Sequence, residues 1–322
     1  MENAIVVTGA AGFIGSCMAQ HLFRKGVANL VLVDDFSKTE KHANLVRLDS
    51  CIRIDRAAFL SQLDDHQYKA IIHLGARTDT TEFDQSIFNE LNLEYSKAIW
   101  QHCVQHSIPL IYASSAATYG DGSLGFDDDM AKMHELEPLN PYGQSKLDFD
   151  LWASAQEEKP PFWCGLKFFN VFGPNEYHKG RMASVVFHTF NQIQNTGKMK
   201  LFQSHNPNYA DGGQIRDFIY VKDVISVIDF WLEQQPTSGV FNLGTGTPRT
   251  FNDLATATFR ALGLEPKIEY IPTPEDIRDK YQYFTKASME RSLHAGYTKR
   301  FLSLEESVSD YVINHLSTNT YY

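Results

Sequence analysis

The chain has 322 residues, 43% of them apolar, and carries 29 Lys and Arg against 39 Asp and Glu, a formal net charge of −10. That length gives one large domain and a smaller one room for packed cores, while the acidic balance excludes a general polyanion binder, so no nucleic-acid partner is expected. Four cysteines, Cys17, Cys51, Cys103 and Cys164, stand far apart without a CxxC pair, which excludes a zinc-ribbon or disulfide framework. The opening MENAIVVTGAAGF has no basic segment ahead of a long apolar run, and no later run approaches the roughly 20 residues of a membrane span. A soluble cytoplasmic protein with no membrane partner is the expectation.

In chain order, short β-branched runs alternate with longer amphipathic stretches: AIVV then FIGSCMAQHLFRKG, next NLVLV, then AIIHLG before DQSIFNELNLEYSKAIWQHCVQHS, then PLIYASS. The strand candidates are apolar at nearly every position, as strands buried on both faces of a parallel sheet are. The expected fold class is therefore α/β, a Rossmann-type doubly wound parallel sheet. Beyond about residue 170 the stretches FGPNEYHKG, SHNPNYADGGQ, LGTGTPRT and IPTPED mark a loop-rich region. DFIYVKDVISVIDFWLEQQ and GVFNLG read as strands returning to the sheet. The expected division is thus discontinuous: 1–169 plus about 218–247 as the Rossmann domain, about 170–217 and 248–322 as a smaller mixed α/β substrate-binding domain.

VVTGAAGFIG sets Gly9, Gly12 and Gly15 between the first strand and the first helix. A turn without side chains lets backbone N–H groups approach a pyrophosphate, and the helix N-terminus favours its charge. The second strand ends in Asp34, 19 residues after Gly15, where an acidic residue meets the adenosine ribose of a dinucleotide. Asp34 and Asp35 together favour NAD; Lys38, Lys41 and Arg56, just beyond the second and third strands, would neutralise the 2′-phosphate of NADP. The local residues leave that choice open.

NPYGQSK spaces Tyr142 and Lys146 four residues apart, on one face of a helix. A tyrosine of ordinary pKa near ~10 becomes a base at neutral pH if an ammonium and an oxidised nicotinamide lower that value by about three units, roughly 4 kcal/mol. Ser114 and Ser115 close the strand PLIYASS, at the carboxyl edge where such sheets bind ligands. Lys179, in NEYHKGRMAS, is by itself indistinguishable from a solvated surface lysine.

The glycine turn, SSAATYG, YGQSK, IRDFIYVKDV and FNLGTG together resemble the extended short-chain dehydrogenase/reductases that act on nucleotide sugars, over nearly the whole chain. Within them, YASSAATYG, FNVFGPNEYHKGRMASVVFH and IRDFIYVKDV most resemble the ADP-L-glycero-D-manno-heptose 6-epimerase family. The resemblance implies Tyr142 as one acid/base, Lys146 as its electrostatic partner and ribose ligand, Ser115 as the triad serine and Lys179 as the second acid/base. It implies NADP contacts from Gly9, Gly12, Phe13, Ile14, Gly15, Asp34, Asp35, Lys41, Arg56, Leu74, Gly75, Ala76, Arg77, Thr78, Asn92, Lys146 and Val171. Sugar-nucleotide contacts would come from Asn170, His188, Phe202, Arg216 and Tyr281. It also implies an ADP-activated heptose as substrate and a homo-oligomer, pentameric in most members.

The pattern departs on the substrate side. Arg181 stands where the family has a small serine, and Phe202, Gln203, Ser204 and His205 replace its FEGS turn; Arg181 either pairs with the diphosphate or narrows the pocket. Rival readings are another nucleotide-sugar epimerase or dehydratase, such as a UDP-hexose 4-epimerase, and a dinucleotide-binding regulator without turnover. His73 reads as a packed core histidine, FDDDM at 126–130 as a solvated loop, and no His, Asp or Glu cluster has metal spacing, so no metal is expected.

Overall fold

The computed structural model describes residues 3–278 and 282–322. Its centre is a seven-stranded sheet made of β1 (Ala4–Thr8), β2 (Leu30–Asp34), β3 (Ile52–Asp55), β4 (Tyr68–His73), β5 (Leu110–Ser115), β6 (Trp163–Phe168) and β11 (Gly239–Leu243), in the order β3-β2-β1-β4-β5-β6-β11. Every pairing in it is parallel. The chain runs outward from β1 to β3, then crosses back to β4. The switch point between β1 and β4 is where a doubly wound sheet opens a crevice at its carboxyl edge.

Period-two alternation explains why these strands are apolar throughout. Ile5, Val7, Leu30 and Leu32 share one core with Cys17, Met18 and Leu22 of the helix Phe13–Arg24 and with Val224, Ile228 and Trp231 of the helix Val221–Gln234. Ala4, Val6, Val31 and Val33 share the other with Ile99 and Trp100 of the helix Tyr95–Gln105 and Leu147 and Phe149 of the helix Pro141–Ala155. The expected sandwich is present.

One returning segment differs from expectation. Gly239–Leu243 does join the sheet beside β6, but the run from 218 is only a three-residue strand, β10 (Phe218–Tyr220), and then a helix. Val221, Val224, Ile225, Ile228 and Trp231 are buried at helical spacing, and that period outweighs the β-branched composition. β10 pairs instead with β7 (Asn170–Phe172). The later segments build β8 (Met199–Phe202) beside β13 (Ile268–Ile271) and β9 (Ile215–Arg216) against β12 (Arg249–Thr250). Ile193 of the helix Val185–Thr196 and Phe259 of the helix Phe251–Ala261 pack on β8.

FDDDM is a loop but not a solvated one. Asp128 is 1% exposed, and its Oδ2 accepts the Asn242 N–H of β11 at 2.8 Å, covering the open edge of the sheet. Among the described residues no helix is long and apolar enough to cross a membrane.

Candidate active site

A cavity of about 690 Å³ opens at the carboxyl ends of the parallel strands. A larger one, about 830 Å³, lies at the opposite edge between Gly26 and Gln235; its charged wall is closed by the Lys25–Asp229 ion pair at 2.7 Å. The chemistry gathers in the first.

Its floor is the glycine turn. Gly9 has φ +66°, and a Cβ on it would stand 2.8 Å from Gly75 Cα, while one on Gly15 would stand 2.0 Å from the Gly9 carbonyl oxygen. The turn, the helix behind it and the 74–78 turn therefore touch backbone to backbone. No side chain caps the amino end of the helix Phe13–Arg24, which opens on the cavity. Uncapped N–H groups beside side-chain-free backbone suit a pyrophosphate, so the residues present fit a dinucleotide.

Asp34 is only 6% exposed, and its carboxylate already accepts from Ala11 N at 2.8 Å, Asp35 N at 2.8 Å and Lys41 Nζ at 3.1 Å. It stiffens the turn as well as lining the cavity. Asp35 Oδ1 accepts from Ser37 N and its hydroxyl, which holds that carboxyl below the usual range. Lys38, Lys41 and Arg56 line the same end.

The reacting end is built by β5 and the helix Pro141–Ala155. Asn140 caps that helix through Gly143 N at 2.8 Å and Pro141 starts it, which fixes Tyr142 and Lys146 on one face over the strand. Strand alternation separates the two serines: Ser115 lines the cavity beside Tyr142, whereas Ser114 turns away and donates to Asp150 at 2.6 Å. Lys146 donates to the Ala113 carbonyl at 2.7 Å, and burial lowers its pKa to about 8. Burial also raises the Tyr142 phenol, with the Ser115 hydroxyl opposing. The lowered phenol expected from the sequence is thus not a property of the protein's own charges; desolvation outweighs them.

Lys179 sits in the 3-10 turn Tyr177–Met182 on the facing wall, its ammonium 5.5 Å from the centre of the Phe13 ring. Burial lowers its pKa, opposed by Glu176. Glu176, fully buried, accepts from Gly173 N at 3.2 Å and from the Ser184 hydroxyl at 2.7 Å, clasping both ends of the loop that carries Lys179. Asn175 ties the same loop to the first helix through Ser16 at 2.8 Å. Neither residue was a sequence candidate, because a buried polar side chain leaves no periodic mark; GPNE was the available signal.

Every expected cofactor residue lines the cavity except Asn92. Asn92 stands behind it, accepting from Arg77 N at 2.8 Å and donating to Ser145 at 2.9 Å, so it holds the 74–78 turn in place. The expected sugar-nucleotide residues are scattered outside this lining. Asn170 is exposed on β7, and His188 faces the Arg181 carbonyl at 3.4 Å. Phe202 ends β8; Gln203 donates its N–H to Ile271 O at 2.7 Å, Ser204 to Asp211 at 2.8 Å, and His205 to the Tyr283 hydroxyl at 3.0 Å. Arg216 is bound to the Gln282 and Ile215 carbonyls. Arg181 reaches across the mouth to the Thr81 hydroxyl and lies 3.9 Å from Asp79. Tyr281 lies outside the described residues. His73 is the core histidine expected, 2.6 Å from the Thr8 hydroxyl and 3.0 Å from that of Ser96.

Residues 5–244 match the model of the NAD dependent epimerase/dehydratase family. The ADP-L-glycero-D-manno-heptose-6-epimerase of Nitratidesulfovibrio vulgaris strain DP4 is 50% identical over 317 residues, 97% of this chain and 98% of that one. The Fusobacterium nucleatum enzyme of the same name is 44% identical over 99% of both. Among solved structures, the Helicobacter pylori ADP-L-glycero-D-manno-heptose-6-epimerase superposes with a TM-score of 0.82 at 27% identity, over 97% of this chain and 96% of that one.

Proposed function

The chain belongs to the NAD dependent epimerase/dehydratase family, and from that premise we propose that it interconverts ADP-D-glycero-β-D-manno-heptose and ADP-L-glycero-β-D-manno-heptose at C6″. The reaction passes through a 6″-ketone, and its product feeds the inner core of lipopolysaccharide. Bound nicotinamide dinucleotide supplies the acceptor, and then the donor, of the C6″ hydride. The residues of the chain move the protons. Tyr142 takes or returns the O6″ proton in one epimer and Lys179 in the other, because an oxygen that has changed sides cannot be reached by the same group. Ser115 holds the oxygen as it becomes a carbonyl, and Lys146 binds ribose and keeps positive charge near the phenol.

The observation that carries this reading is that Tyr142 and Lys179 come from two separate elements yet line one cavity together with the glycine turn. NADP is the cofactor favoured: Asp35 spends an oxygen on Ser37, Asp34 is engaged by its own turn, and Lys38, Lys41 and Arg56 line that end. Asn170, Arg181, His188, the 202–205 turn and Arg216 belong to the substrate half, in a smaller domain formed by about 170–217 and 248–322. Homo-oligomeric assembly in the cytoplasm is part of the same reading and rests on the family resemblance.

The test is proton NMR of ADP-D-glycero-β-D-manno-heptose incubated with the protein without added oxidant or reductant. The L-glycero epimer is expected to appear, and to be lost in both Tyr142→Phe and Lys179→Ala. An unchanged sugar in the presence of a protein that still binds NADP would overturn the substrate assignment.

A further inference from the structure

His102 and His106 stand one helical turn apart at the carboxyl end of the helix Tyr95–Gln105, on the side of the sheet that also carries Trp100. Asp64, from the connection between β3 and β4, faces both. Its Oδ1 is 3.1 Å from His102 Nδ1 and 3.1 Å from His106 Nε2, and the donor atoms all lie within 4.8 Å of one another. Neighbouring ligands held about 2.0–2.2 Å from one first-row dication stand roughly 3.0–3.5 Å apart, whether the geometry is tetrahedral or octahedral. The pairing with Asp64 already has that spacing.

The three side chains differ in freedom in a way that suits a metal. His102 is buried and set edge-on to Tyr68 at 6.0 Å, so one donor is fixed in direction. His106 and Asp64 are 40% and 76% exposed, free to adjust, and leave coordination positions open to water. Two imidazoles and a carboxylate select Zn²⁺, Cu²⁺, Ni²⁺ or Co²⁺ over Mg²⁺ and Ca²⁺, which prefer all-oxygen sites. We propose that Asp64, His102 and His106 form a surface binding site for a first-row transition dication, Zn²⁺ foremost, separate from the active site. None of the three lines the active-site cavity. The bound ion would clip the β3–β4 connection to the helix that covers the sheet. The expectation that no cluster has metal spacing is corrected here: HCVQH sets its two histidines four apart on one helix, and the fold brings Asp64, 38 residues earlier, up to both.

The experiment uses the full, untagged protein, stripped with chelator and returned to metal-free buffer, titrated with ZnCl₂ by calorimetry and with Co²⁺ by visible absorption. One equivalent of Zn²⁺ is expected to bind, with a rise in Tm of roughly 5 °C at a hundredfold excess over Kd. His106→Ala and Asp64→Asn should each weaken binding by about tenfold or more while leaving epimerase turnover unchanged. Cys51→Ser should bind as the unaltered chain does, since a half-buried thiol is the competing ligand to exclude. The proposal fails if the protein takes up no stoichiometric Zn²⁺, if both His106→Ala and Asp64→Asn retain the original Kd, or if binding is lost in Cys51→Ser.

Discussion

Two adjacent hydroxyls, Ser114 and Ser115, divide the work of β5 between chemistry and packing. Ser115 lines the cavity beside Tyr142; Ser114 donates to Asp150, which also accepts from Tyr112 at 3.0 Å and faces the buried Lys167 ammonium at 3.3 Å. Removing Ser114 leaves a buried carboxylate oxygen with one donor fewer, beside the Lys167 ammonium alone, whereas on the proposed mechanism removing Ser115 takes a donor from the reacting oxygen. Ser114→Ala is therefore expected to cost about 1–3 kcal/mol in urea unfolding with kcat nearly unchanged. Ser115→Ala should lower kcat by about a hundredfold, with a stability loss of about 1 kcal/mol because its hydroxyl also caps the Ala117 N–H at 3.1 Å. The opposite partition in the paired measurements would mean that the strand faces had been read the wrong way round.

At the scale of elements, the first βα turn depends on one contact that tolerates no side chain. A Cβ at residue 15 would meet the Gly9 carbonyl oxygen, which is backbone and cannot turn aside. Gly15→Ala should push the helix Phe13–Arg24 off β1, lowering stability by roughly 1–3 kcal/mol and weakening nicotinamide dinucleotide binding, read by fluorescence titration, at least tenfold. This contact also shows why the cofactor half of the site was legible in the sequence. Glycines at a strand end, an acid at the end of the next strand, and a Tyr/Lys pair one turn apart are local patterns, and the sheet brings them to one edge automatically. The rest depended on partners distant in sequence. Asp128 meets Asn242 across 114 residues, and Asn92 turns inward to hold Arg77 rather than toward the cavity. The helix Val221–Gln234 has the Val and Ile composition of a strand, and only the spacing of its buried residues marks it as a helix.

For the molecule as a whole, acid stability is tied to His73 beneath the active site. Burial, helped by the Lys146 charge, lowers its pKa from 6.5 to about 3. Between those values the unfolded chain takes up a proton that the native state refuses, so this residue makes stability fall as pH drops below about 6.5 and rise as pH increases toward it. The slope is about 1.4 kcal/mol per pH unit, or roughly 2 kcal/mol between pH 7 and pH 5. His73→Gln should unfold more easily at pH 7 yet lose about 2 kcal/mol less than the unaltered chain on going to pH 5, as measured by urea unfolding at both. The Arg181 contact with Thr81 bears on the whole cycle in another way. On the proposed mechanism, a sugar that left as the ketone would leave the bound dinucleotide reduced, unable to start on the next heptose. On the proposed cycle, the reach of Arg181 to Thr81 would slow that leak, and Arg181→Ala is expected to stall after fewer cycles, read as progressive loss of turnover that added NADP restores.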